Sequence, residues 1–162
     1  MRASQALIDY LKRRESLRLR RYRDQAGKWT IGYGHLIRPH ELDTLKLITR
    51  DQAEALLLAD VGPFAVYLDG VNRNFKVPLS QHQFDGVVSF AFNVGLRGLE
   101  QSTLLKLLRM GDFAGAAAQF DRWVYITVTD AAGNKVKQKS AGLVNRRRMD
   151  RAIFEHGNYR SR

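Results

Sequence analysis

The sequence contains no cysteine, so neither a disulfide framework nor thiolate chemistry is available to it. No apolar stretch is long enough to span a membrane, and residues 1–12 lack the apolar run of a signal peptide. We therefore expect a protein made in a reducing cytoplasm without a signal peptide. Its 162 residues, 44% of them hydrophobic, suffice for one core with a cleft but not for two independent domains.

Several catalytic motifs are also missing. His40-Glu41 is not followed by a second histidine four positions after His40, which excludes the zinc-protease pattern. Neither a Gly-x-Ser-x-Gly elbow nor a phosphate-binding Gly-Lys-Ser/Thr loop occurs. His35, His82 and His156 are too widely spaced to predict a metal site. We expect no metal and no cofactor, and we expect His35 to support a small β region through a hydrogen bond.

Two carboxylates and a hydroxyl occur close together where a helical pattern gives way to a strand pattern. Glu15 closes an apolar helix, Asp24 lies nine positions later in a polar turn, and Thr30 follows after six more. Cleavage of a glycosidic bond needs a carboxyl that protonates the leaving oxygen and an ionised one that activates water. These residues therefore suggest a glycosidase. A surface glutamate and an ordinary turn aspartate would show the same spacing.

A longer pattern surrounds these residues: a Glu, Tyr-x-Asp, a Gly turn, and Thr-Ile-Gly-x-Gly-His. It occupies Glu15, Tyr22, Asp24, Gly27, Thr30, Ile31, Gly32, Gly34 and His35. This pattern resembles the signature of the phage-type lysozymes, glycoside hydrolase family 24. The resemblance extends over nearly the whole chain, through residues 83–85, 89–95, 102–105, 111–113, 122–123 and 142–147.

The resemblance implies a role for each matched residue. Glu15 matches the general acid of the family, Asp24 its water-orienting carboxylate, and Thr30 the hydroxyl that helps to hold the attacking water. Inversion at the anomeric carbon is implied as well. Four further residues match substrate-lining positions, although each also fits a core or helix-surface role. These are Leu36, Phe92, Thr103 and Gln119.

Two features depart from the family pattern. Many members have glycine after the catalytic glutamate, where this chain has Ser16, and a serine there would alter the turn out of the helix. Residues 124–141 form a longer segment than is usual. Their β-branched alternation around a Gly-Asn turn predicts either a β-hairpin or a disordered basic loop.

The net charge of +11 favours an anionic partner. Peptidoglycan, with its peptide carboxylates, is our first expectation, and nucleic acid is the competing one. Basic residues cluster at 13–23 and at 146–151, and such runs are often solvated helix faces. Residues 143–156 also predict an amphipathic helix whose arginines bind anionic lipopolysaccharide, unless its apolar sector simply packs on the core.

Sequence periodicity predicts an α+β fold with a cleft between a small β lobe, residues 17–45, and a larger helical lobe, and the resemblance implies that this fold is lysozyme-like. The helical lobe comprises an N-terminal helix and residues 70–162 of one catalytic domain. Capping boxes at Thr49 and Ser80 start two helices, the first interrupted near Gly62-Pro63 and the second ending at Gly95. Shorter helices are expected over 102–110, 113–122 and 143–156.

Two functions remain open. The resemblance implies a monomeric peptidoglycan muramidase for host-cell lysis, which cuts the β-1,4 bond between N-acetylmuramic acid and N-acetylglucosamine. Such an enzyme reaches the periplasmic wall after release by a holin pore. The alternative is a catalytically silent, basic binding module for wall polymer or nucleic acid on the same fold.

Overall fold

The computed structural model describes residues 1–24 and 26–160, which form six α-helices and five β-strands. The first half contains α1 (Gln5–Glu15), β1 (Arg18–Arg23), β2 (Trp29–Gly32), β3 (His35–Leu36) and α2 (Arg50–Phe75). The second half contains α3 (Gln81–Glu100), α4 (Thr103–Arg109), α5 (Phe113–Gln119), β4 (Tyr125–Thr129), β5 (Lys135–Lys139) and α6 (Ala141–His156). Short 3₁₀ turns occupy Pro39–Glu41 and Phe120–Arg122.

The N-terminal helix α1 begins after Ser4, whose hydroxyl accepts a hydrogen bond from the backbone N–H of Leu7. Leu7 and Leu11 lie one helical turn apart and are fully buried. The helix ends at Glu15 because Ser16 takes a positive φ of 55°, which a helix does not allow. The end of α1 therefore places Glu15 at the entry to the first sheet.

The first sheet has the antiparallel order β1-β2-β3. Thr30 of β2 lies directly across from Tyr22 of β1 on one side and from Leu36 of β3 on the other. Paired residues of adjacent strands project to the same face of a sheet. Ile31, which projects to the opposite face, is fully buried in the core.

Helix α2 runs without interruption through 26 residues, so the predicted break near Gly62-Pro63 is wrong. The helix starts with the predicted capping box, in which the Thr49 hydroxyl and the Gln52 side chain each bond the other's backbone. Pro63 is exposed, whereas Leu57, Val61, Ala65 and Leu68 form a buried stripe at helical spacing. Burial of this stripe outweighs the one backbone hydrogen bond that proline removes.

Helix α3 provides much of the core. Phe84, Val87, Val88 and Ala91 are fully buried, as their spacing predicts. Gly95 departs from helical geometry with φ 79° and ψ 165°, so the predicted end is a kink, and a further helical stretch continues to Glu100. Such a conformation requires glycine.

Helix α6 packs against α3 at close range. A β-carbon placed on Gly86 of α3 would lie 2.7 Å from the β-carbon of Phe154 of α6, which is closer than carbon atoms can approach. Met149, Ile153 and Phe154 are buried in this contact. The apolar sector of α6 therefore packs on the core, as one of the two sequence interpretations expects.

Strands β4 and β5 form a β-hairpin, which confirms the first of the two expectations for residues 124–141. The chain as a whole is an α+β protein, as predicted. Within residues 1–24 and 26–160, none of the helices combines the length and hydropathy of a membrane-spanning segment.

Candidate active site

A cleft of about 580 Å³ opens between the sheet and the helices. Its walls come from the end of α1, the β2–β3 turn, β3, α2, α3 and α6. The residues that line it are Glu15, Gly34, His35, Leu36, Arg38, Ala59, Asp60, Pro63, Phe64, Phe92, Asn93 and Arg146. Three of the predicted site residues, Glu15, Leu36 and Phe92, are therefore brought together in one cavity.

Glu15 is held between a guanidinium and a turn. Nη1 of Arg146 lies 2.8 Å from Oε1 of Glu15, and both side chains are largely buried, with 17% and 18% exposed. On the other side, a β-carbon on Gly34 would lie 3.8 Å from Oε2 of Glu15. The carboxylate is thus held at the cleft wall by the ion pair with α6, and it lies close to the backbone of the β2–β3 turn.

Asp24 begins the turn that joins β1 to β2. Its Oδ1 accepts hydrogen bonds from the backbone N–H of Ala26 at 2.9 Å and of Lys28 at 2.8 Å. The backbone N–H of Asp24 in turn donates to the carbonyl of Lys28 at 2.9 Å. These bonds fix the orientation of the carboxylate. Asp24 directly follows the last residue of β1, Arg23, and is not among the residues that line the cleft.

Thr30 is 3% exposed, and its hydroxyl donates to the carbonyl of Lys28 at 3.2 Å. It is not among the residues that line the cleft, but it pairs directly with Leu36, which lines the cleft and is 49% exposed. The register therefore places Thr30 one strand behind the cleft wall.

The predicted substrate-lining residues divide into two groups. Leu36 and Phe92 lie in the cleft, where the ring of Phe92 packs edge-on against Phe64 at a centroid distance of 6.3 Å. Thr103 is exposed at the start of α4, and Gln119 is half-buried at the end of α5. Neither of these two belongs to the lining of the cleft.

His35 contacts two carboxylates, so the predicted supporting role is confirmed. Its Nδ1 lies 2.9 Å from Asp60 of α2, and its Nε2 lies 3.4 Å from Glu41. The hydrogen bond with Asp60 is the main reason that the pKa of His35 is raised. This histidine therefore ties the sheet to α2 beside the cleft. In the described residues there is no cluster of three or more side chains suited to hold a metal ion.

A buried ionic network behind the cleft was not predicted from the sequence. Arg147 is 1% exposed, its Nε lies 3.2 Å from Asp150, and its guanidinium stacks 5.0 Å from the ring centroid of Phe90. Arg147 also donates to Asn93, a cleft residue, while Asp150 accepts a 2.6 Å hydrogen bond from Ser89. The Arg-x-x-Asp spacing of α6 was the available signal for an internal pair.

The two arginine clusters are partly used inside the fold. Arg21 and Arg23 stack over the Trp29 ring at 4.7 and 4.4 Å. In α6, Arg146 and Arg147 face inward, and Arg151 pairs with Asp121 at 2.6 Å and with Glu155 at 3.0 Å. Arg148 is exposed and bonds Asn145. The interpretation of residues 146–151 as a solvated helix face is therefore wrong for Arg147, because Asp150 provides a buried counter-charge.

Comparison with known proteins agrees with this architecture. The family model described as phage lysozyme matches residues 12–150. The endolysin of Acyrthosiphon pisum secondary endosymbiont phage 1 is 40% identical over 155 residues, which cover 96% of this chain and 99% of that protein. The endolysin of Bacillus phage PZA is 43% identical over 97% of this chain, but the match spans only 56% of that longer protein.

A solved structure shows the same fold. The endolysin from Escherichia coli O157:H7 phage FAHEc1 superposes with a TM-score of 0.81 at 37% identity, covering 99% of this chain and 97% of that one. The match thus extends over the cleft, the helices and the hairpin alike. The chain belongs to the phage lysozyme family and is a glycoside hydrolase of the lysozyme class.

Proposed function

We propose that this lysozyme hydrolyses the β-1,4 bond between N-acetylmuramic acid and N-acetylglucosamine with inversion, and that Glu15, Asp24 and Thr30 perform the reaction. The observation that supports this most strongly is that Glu15 lines the same cleft as Leu36, the direct strand partner of Thr30. Thr30 thereby lies one strand behind the cleft wall that Glu15 helps to form, whereas Asp24, in the turn between β1 and β2, is not among the residues that line the cleft.

Each residue has a defined task in this mechanism. Glu15 donates a proton to the glycosidic oxygen as the bond to the anomeric carbon breaks, because that oxygen is otherwise a poor leaving group. Asp24, oriented by two backbone N–H donors, takes the proton from the attacking water. The Thr30 hydroxyl, which bonds the Lys28 carbonyl in the free protein, helps to hold that water.

Leu36 and Phe92 would contact the sugar chain, since both line the cleft. Apolar side chains of this kind cover the faces of sugar rings while a few polar groups fix their orientation. Thr103 and Gln119 lie outside the cleft lining, so contacts from them remain predictions that require a longer glycan strand.

The sheet and the helices would act as two lobes of one catalytic domain around the cleft, in a monomer. The enzyme acts on the cell wall, as endolysins do. Release through a holin pore, as the family resemblance implies, remains a prediction.

Binding of lipopolysaccharide by α6 also remains a prediction, and Arg148 of this helix is exposed. Magnesium-sensitive entry of a hydrophobic dye into Gram-negative cells treated with the Glu15→Gln protein would support this binding, and no entry would exclude it.

Hydrolysis of purified peptidoglycan tests the proposed function. We expect soluble fragments with new reducing ends on N-acetylmuramic acid, identified by mass spectrometry after borohydride reduction. Reducing ends on N-acetylglucosamine, or none at all, would contradict it. A catalytically silent binding module, the alternative function, would instead adsorb to the wall without releasing any fragment.

A further inference from the structure

The hairpin of β4 and β5 presents a row of lysines on one face. Its strands pair residue by residue, with Tyr125 opposite Lys139, Thr127 opposite Lys137, and Thr129 opposite Lys135. Paired residues share a face, and every second residue of a strand returns to it. These six residues therefore form one surface, which we name the lysine face.

The charge of the lysine face is available to a ligand. All residues of β5 are exposed, and 55% of Tyr125 is exposed. Between residues 124 and 139 the sequence has one carboxylate, Asp130. That carboxylate is used within the turn, where it accepts hydrogen bonds from the backbone N–H of Ala132 and Asn134. The hairpin thus offers ammonium groups and neighbouring hydroxyls to an anionic partner.

One lysine of the lysine face, Lys137, lines a cavity that adjoins the cleft. A second cavity of about 560 Å³ lies at the base of the hairpin and includes Tyr125, Thr127 and Lys137. Asn93 lines this cavity and the cleft alike, so the two are adjacent along α3. Trp123 and Tyr125 add aromatic rings to the second cavity, and aromatic rings suit the faces of sugars.

We propose that the lysine face binds the carboxylates of the peptide side chains on a glycan strand held in the cleft. The proposal rests on the proposed function, because that function supplies a strand whose peptides protrude beside the cleft. Exposed ion pairs are individually weak. Three lysines acting together would therefore lower KM and make binding sensitive to salt, without participating in bond cleavage.

The experiment compares a triple variant, Lys135→Gln with Lys137→Gln and Lys139→Gln, with a control of equal net charge. The control combines Lys46→Gln, Arg50→Gln and Lys106→Gln, all exposed positions distant in sequence from the hairpin. Both are assayed on soluble glycan strands that carry their peptides and on the same strands after an amidase has removed them. Circular dichroism and thermal midpoints check that both variants are folded.

We expect kcat/KM of the triple variant on peptide-bearing strands to fall about tenfold, mostly through a higher KM. On peptide-free strands we expect kcat/KM to fall by about twofold or less. The difference should shrink as salt screens the charges. An equal loss on both substrates, no loss, or the same selective loss in the control would overturn the proposal.

Binding separates this proposal from the proposed function. In the Glu15→Gln background, affinity for a fluorescent peptide-bearing fragment should fall about tenfold with the triple variant even if wild-type protein cleaved no bond. If the triple variant in this background lost binding to lipopolysaccharide vesicles or to DNA but still bound the fragment, the proposal would be overturned in favour of another polyanion.

Discussion

The Arg146 guanidinium lies 2.8 Å from the carboxylate of Glu15, and this ion pair joins the end of α1 to α6 at the wall of the cleft. Helix α1 ends at Glu15, and the ion pair with Arg146 holds the side chain of Glu15 in position. The geometry of the proposed acid is therefore set by residues that are 131 positions apart in the chain. This dependence explains why the sequence pattern around Glu15 predicts its chemistry but not its environment.

Replacing Ser16 by glycine should stabilise the protein. Ser16 adopts φ 55° and ψ 134°, outside the regions that side-chain-bearing residues prefer. Such strain costs about 1–3 kcal/mol, partly offset by the greater chain entropy of glycine when unfolded. We expect Ser16→Gly to raise the free energy of unfolding in urea by about 1 kcal/mol. Ser16→Ala, the control, keeps the strain, and an equal gain from it would contradict this explanation.

Removing Asp150 should be strongly destabilising. Without it, the buried guanidinium of Arg147 loses its counter-charge, and breaking a buried pair in this way costs about 3–5 kcal/mol. Asp121→Ala is the matched control, since it removes a carboxylate from the more exposed pair with Arg151, worth about 0–1 kcal/mol. If Asp150→Ala and Asp121→Ala lowered the free energy of unfolding by similar amounts in chemical denaturation, the buried pair would stabilise the fold no more than the exposed pair, and this prediction would be contradicted.

Local sequence patterns predicted the capping boxes at Thr49 and Ser80 and the core stripe of α3, and they gave the hairpin of residues 124–141 as one of two alternatives, because these features depend on neighbours in the chain. The patterns failed where distant packing decides. Pro63 looked like a helix break, yet buried residues on both sides hold α2 together. Arg147 looked like a surface charge, yet Asp150, Asn93 and Phe90 surround it. The cleft contact of Arg146 with Glu15 likewise requires the tertiary fold.

The contribution of His35 to stability should depend on pH. Hydrogen bonding with Asp60 raises the pKa of His35 above its ordinary value of 6.5. The stabilisation that His35 provides is therefore complete when the pH is below the pKa of this histidine in the unfolded chain. It is lost as the pH rises through the higher pKa that His35 has in the folded protein. The difference in unfolding free energy between wild type and His35→Gln should be larger at about pH 5.5 than at about pH 9. A difference that is constant, or larger at the higher pH, would contradict the assigned pairing.

The stereochemistry of the product tests the roles of Asp24 and Thr30. A water activated between them implies inversion, with the carboxyls of Glu15 and Asp24 roughly 6.5–9.5 Å apart. Proton NMR should show the α anomer first when a soluble wall fragment is cleaved, and an initial β anomer would exclude the mechanism. Asp24→Asn should lose about a hundredfold or more in kcat, and Thr30→Ala should lose less. Nearly full activity in Asp24→Asn would remove that residue from the reaction.

The turnover of Glu15→Gln tests the central claim most directly, because this change removes the acidic proton while keeping the size of the side chain. General acid catalysis is worth about a hundred- to ten-thousandfold. We predict that kcat on purified peptidoglycan falls by at least about a hundredfold, while the far-ultraviolet circular dichroism and the adsorption to peptidoglycan are retained. A folded Glu15→Gln protein that keeps more than about a tenth of the wild-type rate would show that another group is the acid.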